Sequence, residues 1–397
     1  MSTRPPTLRL RVSPAAETKL RQGHPWVFDG SIREQNRDGK PGELAVIFDK
    51  QDRFLAVGLY DPESPIRVRV LHRGKPAKID ENWFAEHLAK SLTLRIGIAD
   101  ADTDGLRLVN GENDAWPGLV LDRYNDTLVL KIYSSAWFSY LPLITNLANA
   151  QIPNRRIILR HSRNIRDQHY HDGQIISGAA LDRPIVFSES GIKFYADVLK
   201  GQKTGFFLDQ RDNRRKVEQF AANCKVLNVF SFTGGFSLYA ARGGAQSVDS
   251  IDISKHALDE LQRNWELNRE NPAIDACPHR EIQADAFAWL EQATEKYPLI
   301  VIDPPSLAKR EADRAAAIGA YKKLAISGLR LLAPKGILVC ASCSAHVSTG
   351  EFVQAVRAAV SASGKKIREL EITGHAPDHH VTVPELQYLK AIYLQQQ

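Results

Sequence analysis

Apolar and polar positions alternate along this chain with three different rhythms. Near the start, Leu8-Arg9-Leu10-Arg11-Val12 alternates one by one, the mark of a half-buried strand. Residues 15–22 read as a short helix stopped by Gly23, and residues 42–48, 54–59 and 66–71 as further strands parted by turn-forming Asp, Pro, Ser and Lys. Residues 1–75 are thus predicted to form a small, mostly β module, closed by a proline and charge cluster at 75–80. A helical period follows over 81–98, with Trp83, Phe84, His87, Leu88 and Leu92 on its apolar side. Strand-like segments at 118–122 and 127–133, a helix at 138–150 and a strand at 156–160 make residues 76–188 an α+β middle module. From about residue 190, strands at 225–230, 247–251, 280–283, 299–302 and 336–340 alternate with helices such as 255–268 and 316–332. That is the rhythm of a doubly wound α/β domain, Rossmann-like, over residues 189–397.

At 397 residues, the chain exceeds one ordinary core, in keeping with several domains. No stretch reaches the roughly 20 unbroken apolar residues of a membrane span. Met1-Ser2-Thr3-Arg4-Pro5-Pro6 lacks the apolar run of an export signal. Four cysteines give no disulfide framework, so the expected location is the cytoplasm. Charge sharpens the picture. Residues 1–75 hold 14 Lys/Arg against 9 Asp/Glu, a net +5 out of +6 for the whole chain. A basic module of this kind favours a polyanionic partner.

The first strand of the α/β region runs into Phe230-Ser231-Phe232-Thr233-Gly234-Gly235-Phe236 and then a helix. A glycine turn at that place lets the backbone approach a ligand closely. The next strand ends at Asp252, eighteen residues past Gly234, where an acid hydrogen-bonds ribose hydroxyls. The G-x-G-x-x-G of dinucleotide sites and the G-K-[ST] of a P-loop are both absent. A nucleoside cofactor without a pyrophosphate fits better, and S-adenosylmethionine is such a molecule. Asp285, after the third strand, is placed to reach an adenine amino group.

Two later apolar runs end in chemistry. Leu299-Ile300-Val301-Ile302 leads into Asp303-Pro304-Pro305, and Gly336-Ile337-Leu338-Val339-Cys340 leads into Ser342-Cys343-Ser344. Both read as buried parallel strands, whose carboxyl ends gather catalytic groups. An acid and a thiol in one crevice suit chemistry on a flat, electron-poor ring: the thiolate adds, and the acid steadies the charge. Cys340 and Cys343 could instead be a redox pair or half a zinc site. No second cysteine pair exists to complete a zinc ribbon, so Cys340 is expected in the core and Cys343 at the strand exit. His375, His379 and His380 are read as solvated loop histidines and not as metal ligands. Lys255, His256 and Arg214-Arg215-Lys216 are read as solvated helix faces. Trp83, Trp137, Trp265 and Trp289 are read as core.

Together these segments resemble the bacterial large-subunit ribosomal RNA cytosine-C5 methyltransferases that carry an N-terminal PUA domain. The likeness spans essentially the whole chain. It rests on His24-Pro25-Trp26-Val27-Phe28, on Gly111-Glu112-Asn113-Asp114 with the segment from Pro117 to Tyr124, and on Lys203-Thr204-Gly205-Phe206-Phe207-Leu208-Asp209-Gln210-Arg211, besides the loop, Asp-Pro-Pro and Ser-Cys-Ser segments above. The chain departs from the pattern in a shorter segment after Arg160 and around Pro384-Glu385. The resemblance implies S-adenosylmethionine as methyl donor, ribosomal RNA of the large subunit as partner and Cys343 as nucleophile. Asp303 is the candidate acid at the pyrimidine N3, with its pKa raised by burial, and Glu385 the candidate base for the C5 proton. Arg211, Asn228, Phe230, Ser231, Thr233, Gly234, Asp252, Ile253, Asp285, Ala286 and Asp303 are the candidate cofactor-binding residues. No metal or membrane is expected, and a homodimer is compatible with the sequence. Three alternatives stay open: a uridine-C5 or guanine-N2 methyltransferase, a non-enzymatic RNA-binding or assembly protein, and an NAD-dependent enzyme.

Overall fold

In the computed structural model, residues 7–98 and 100–397 are described; the export-signal reading of residues 1–6 lies outside them. The chain divides into two compact units. One holds residues 1–190, 196–206 and 378–383, the other residues 191–195, 207–377 and 384–397.

In the first unit, a six-stranded sheet runs in the order Trp26–Phe28, Ile66–Arg73, Phe54–Tyr60, Leu44–Phe48, Leu8–Val12, Ile32–Gln35. The alternation at its start is realised: Leu8, Leu10 and Val12 face the core, while Arg9 is exposed. Ser13 caps the helix Pro14–Arg21. The short strands Trp26–Phe28 and Ile32–Gln35 were not expected, being too brief to show a period. A five-stranded sheet follows, ordered Gln174–Gly178, Arg156–His161, Thr127–Ile132, Leu119–Tyr124, Gly105–Asn110. Leu128, Leu130 and Ile132 pack from it onto Trp116 and Trp137. The helix expected over 81–98 ends at Thr93, because Arg95 turns inward to pair with Asp114 and Gly97 is left-handed. The helix expected over 138–150 starts later, at Leu141, after a tight 3-10 stretch Ser135–Tyr140.

The second unit carries a seven-stranded sheet ordered His279–Gln283, Ser247–Asp252, Lys225–Val229, Tyr297–Ile302, Leu332–Ser342, Lys390–Gln396, Ile367–Thr373. The first five strands are parallel, and Lys390–Gln396 runs against them. Leu299, Ile300, Val301 and Ile302 are all at most 1% exposed, as expected of strands covered on both faces. Strand order reverses between Lys225–Val229 and Tyr297–Ile302, and ligands bind outside the carboxyl ends at such a switch point. Residues 230–236 and 303–305 leave from there. This is the expected doubly wound architecture. Among the described residues, no helix is long and apolar enough to cross a membrane, and no group of three or more His, Cys, Asp or Glu could hold a metal ion.

Candidate functional site

The strand Lys225–Val229 is buried up to Val229 and then turns sharply. Phe230, Phe232 and Gly234 all take left-handed backbone, with φ of 63°, 48° and 84°. Two non-glycine residues in that region are costly and persist only where the surroundings hold them. Asp252 supplies the hold: its Oδ2 accepts from the Phe232 amide at 2.9 Å, and its Oδ1 accepts from the Ser254 amide at 2.9 Å. The sequence suggests Asp252 as a ribose acceptor; the bonds its carboxylate makes in the structure brace the loop. Asn264 Nδ2 donates to the Thr233 carbonyl at 2.9 Å. At Gly234 a Cβ would lie 2.5 Å from Leu261 Cγ, so only glycine fits this turn.

Three buried polar atoms of this loop and its strand find no protein partner: Asn228 Oδ1, Ser231 Oγ and Thr233 Oγ1. Buried polar groups are nearly always satisfied, so three orphans at one turn mark a place for a polar ligand. Nearby, Ile253 is 66% exposed, an apolar surface directly after Asp252 that suits a flat ring. Asp285 is exposed, and its Oδ1 accepts from the Ala288 amide at 2.9 Å as the cap of the helix Ala286–Gln292. Ala286 and Arg211 are buried, Arg211 with its Nε donating to Asp212.

The adjacent strands Tyr297–Ile302 and Leu332–Ser342 pair Ile302 with Cys340, so Asp303 and Cys343 leave the sheet side by side. The Cys343 thiol lies 3.8 Å from the Pro304 carbonyl oxygen. Ser344, fully buried, ties the two exits together: its Oγ accepts from the Leu307 amide at 3.0 Å and the Ala308 amide at 3.2 Å, and shares a proton with Tyr321 Oη at 2.7 Å. Asp303 is half-buried, and its Oδ2 accepts from Gln210 Nε2 at 2.9 Å. Gln210 is oriented in turn by Asn213, whose Nδ2 donates to Gln210 Oε1 at 2.6 Å. Cys340 is buried, and desolvation pushes its thiol up to about 12, in keeping with a core role. Glu385 sits exposed in the short turn Pro384–Leu386.

Two stretches of the chain match known families, the second of them reaching from the five-stranded part of the first unit through the second unit. Residues 10–73 match a PUA-like domain, and residues 139–392 match an S-adenosylmethionine-dependent methyltransferase. The chain is 54% identical over 402 residues to the ribosomal RNA large subunit methyltransferase of Deinococcus radiodurans, with 98% of each covered. The chain belongs to the S-adenosylmethionine-dependent methyltransferase family. It is also 35% identical to the ribosomal RNA large subunit methyltransferase I of Serratia proteamaculans, covering 97% of this chain and 98% of that one. In fold, it superposes on a candidate methyltransferase from Streptococcus mutans with a TM-score of 0.83, at 23% identity, covering 98% and 100% of the two chains. A second candidate methyltransferase, complexed with SAH, gives a TM-score of 0.84 at 24% identity with the same coverage.

For this methyltransferase, the orphaned Asn228, Ser231 and Thr233 atoms fit the donor's polar amino-acid end, while Asp252 and Ile253 fit its ribose and adenine. Sequence reasoning missed the supports. Gln210 and Ser344 lay inside recognised segments and Lys390 outside them, but no local pattern told their roles, because each acts on a partner distant in sequence. The histidine reading needs correction. His379 is 3% exposed, and His380 Nε2 lies 3.1 Å from Asp114 Oδ1, which raises the His380 pKa. The chain tucks residues 378–383 into the first unit, where Arg95 and Arg107 bind Asp378. Arg214 is likewise buried, donating to the Phe207 carbonyl at 3.0 Å, so its basic run is not a solvated face.

Proposed function

We propose that this methyltransferase methylates C5 of a cytosine in large-subunit ribosomal RNA through a covalent bond between Cys343 and C6. In this reading residues 1–75 are a PUA-like RNA-binding domain, 76–188 a connector and 189–397 the methyltransferase domain. The observation that carries it is the Cys343 thiol set 3.8 Å from the carbonyl of Pro304, next to Asp303. The Deinococcus and Serratia relatives, both ribosomal RNA large subunit methyltransferases, support the RNA class.

S-adenosylmethionine, when bound, supplies the methyl group as an electrophile. C5 of cytosine is a poor nucleophile, and the site's residues change that. The Cys343 thiolate forms a bond to C6, breaking the C5–C6 π bond and moving its electrons into the ring. Asp303, at the N3 edge, stabilises the charge. C5 then takes the methyl group, whose bond to the donor sulfur breaks with the electron pair left on that sulfur. Glu385 is the candidate base that removes the C5 proton, after which the C6–S bond breaks and the thiolate returns. One hard step is replaced by several easier ones. Cytosine C5 is inaccessible inside a duplex, so the target is single-stranded or flipped out.

The test is an RNA with 5-fluorocytosine at the target, which cannot lose its C5 substituent as a proton. With methyl donor present, a denaturation-resistant protein–RNA band is expected from the native protein, not from Cys343→Ala, and still from Cys340→Ala. Nucleoside mass spectrometry of treated rRNA should show 5-methylcytosine. Full turnover by Cys343→Ala, or 5-methyluridine as the product, would overturn this function.

A further inference from the structure

We propose that Lys390 is a positioning residue for Cys343: its buried ammonium closes the loop that carries the thiol and holds the sulfur as a thiolate. This rests on the covalent function proposed above, and deepens it.

The geometry starts from the sheet. Lys390 opens the strand Lys390–Gln396 and pairs with Ser342, the residue before Cys343. Its side chain is fully buried, which is rare for lysine unless paired. Its ammonium has three N–H groups and places all three on carbonyl oxygens: Ser344 at 2.6 Å, Val347 at 2.5 Å and Tyr388 at 3.1 Å. Two of those carbonyls belong to the loop that begins at Cys343. The third tethers the same nitrogen to the segment just before its own strand. The loop is therefore wrapped around a cation, and the thiol leaves from its rim.

Carbonyls satisfy the hydrogen bonds of an ammonium but not its charge. A full positive charge out of water calls for an anion. The acidic groups near Lys390 are Cys343, on the loop its ammonium closes, and Glu351. Glu351 is engaged elsewhere, by the Ser348 cap and by Arg314. The other titratable groups about the thiol are Tyr321, whose own proton is held more tightly by burial and by Cys343, Asp303 on the neighbouring exit, and His346, exposed on the same loop and 3.4 Å from Glu311. None of these supplies a buried cation. Desolvation pushes Lys390 down to about 8, still charged at neutral pH, while Cys343 pulls the other way. A thiol beside such a cation gives up its proton to solvent more readily than a free cysteine, which ionises near pH 8.5. The thiolate is then formed before the base arrives, and no separate general base for the thiol is required.

The experiment is alkylation of Cys343 in the full-length protein by iodoacetamide, followed peptide by peptide by mass spectrometry from pH 5.5 to 10. In the native protein, Cys343 should react with a midpoint below 8, and buried Cys340 should stay inert. Lys390→Met should move that midpoint up by one unit or more, so alkylation at pH 7 slows roughly five- to tenfold for each unit, and the pH profile of kcat should shift with it. Binding of S-adenosylmethionine by this variant should be unchanged and reports that it is folded. If Lys390→Met does not fold, the native profile still decides. A Cys343 midpoint at or above the free-cysteine value overturns the proposal, as does an unchanged midpoint in folded Lys390→Met. The covalent function fails by a different result, methylation by Cys343→Ala, which leaves the alkylation profile free to judge Lys390.

Discussion

Gln210 shows how one side chain's orientation decides another's chemistry. Its Oε1 is occupied by the Asn213 amide, and Asn213 Oδ1 is itself held by Thr373 and Tyr393, so the nitrogen of Gln210 is what reaches Asp303. A donor on a carboxylate oxygen favours a fixed rotamer and the anionic form of that oxygen. Gln210→Ala removes a hydrogen bond to a charged group, a loss of about 1.5–3 kcal/mol. If Asp303 acts on the base, turnover should fall roughly 10–100-fold, with methyl-donor affinity unchanged. Asp303→Asn should reach deeper, about 10²–10³-fold in kcat, the range for loss of one charge-stabilising group. Single-turnover kinetics and donor binding on both variants check this; equal loss of donor affinity would reassign the pair to the cofactor. Asp303 and Cys343 were legible in the sequence because each ends an apolar run. Gln210 lay inside a recognised segment, but its role depends on a residue 93 positions away, and no local pattern encodes such a pairing.

At the level of elements, a buried polar chain crosses the sheet beneath the cofactor loop. Asn228 Nδ2 donates to Ser237 Oγ at 2.8 Å, Ser237 and Ser250 share a proton at 2.7 Å, and Ser250 Oγ lies 3.0 Å from His279 Nε2. A hydroxyl both donates and accepts, so this chain can run from the Asn228 amide through the two serines to His279 Nε2 as acceptor. His279 stacks on Trp265 at 4.2 Å. Burial pushes His279 down to about 4 against the pull of Asp249. The unfolded chain takes up that proton near pH 6.5, so the folded state binds fewer protons between 6.5 and 4. Its stabilising contribution is complete above 6.5 and is lost as pH falls through that window, about 3 kcal/mol in all. The urea midpoint should drop from pH 7 to pH 5, and His279→Gln should show a smaller drop. A second consequence concerns the turn above. Gly234→Ala adds a methyl group to a left-handed residue against Leu261 and should cost about 2 kcal/mol or more in stability and most donor binding, read by calorimetry. The same elements show what the sequence revealed. The central strands were plain because burial on both faces leaves unbroken apolar runs. Ile367–Thr373 escaped notice because it is an edge strand carrying Arg368, Glu369 and Glu371, whose pattern looks like a solvated segment. The brief strands Trp26–Phe28 and Ile32–Gln35 gain their pairing from distant partners, not from a period of their own.

For the whole molecule, the question is where its positive charge is available to a polyanion. Net charge is +6, of which residues 1–75 supply +5. Much of that module's cationic surface is spent internally: Arg11 pairs with Glu34 and Asp52, Arg37 with Glu43, Arg21 and Arg53 with Asp49, and Arg67 with Asp29. Among the described residues, Lys19, Arg33, Lys40 and Lys50 are exposed and form no ion pair, which leaves them for phosphates. Each phosphate neutralised releases counterions and steepens the salt dependence by roughly 0.7–0.9 in log–log slope. Replacing all four by Gln should therefore flatten the slope of RNA affinity against salt by up to about 3 and weaken binding at low salt most. Donor binding, proposed to lie at residues 228–253 and not at these four, should not change. The measurement is fluorescence anisotropy on a single-stranded rRNA fragment from 50 to 300 mM salt, with donor calorimetry on the same preparation. A variant whose slope matches the native protein would show that these four cations meet no phosphate, and would move the RNA-binding surface away from residues 1–75. Loss of affinity with an unchanged slope would point instead to base contacts, for which the module's exposed Phe28, set 6.3 Å from Trp26, is the next residue to replace.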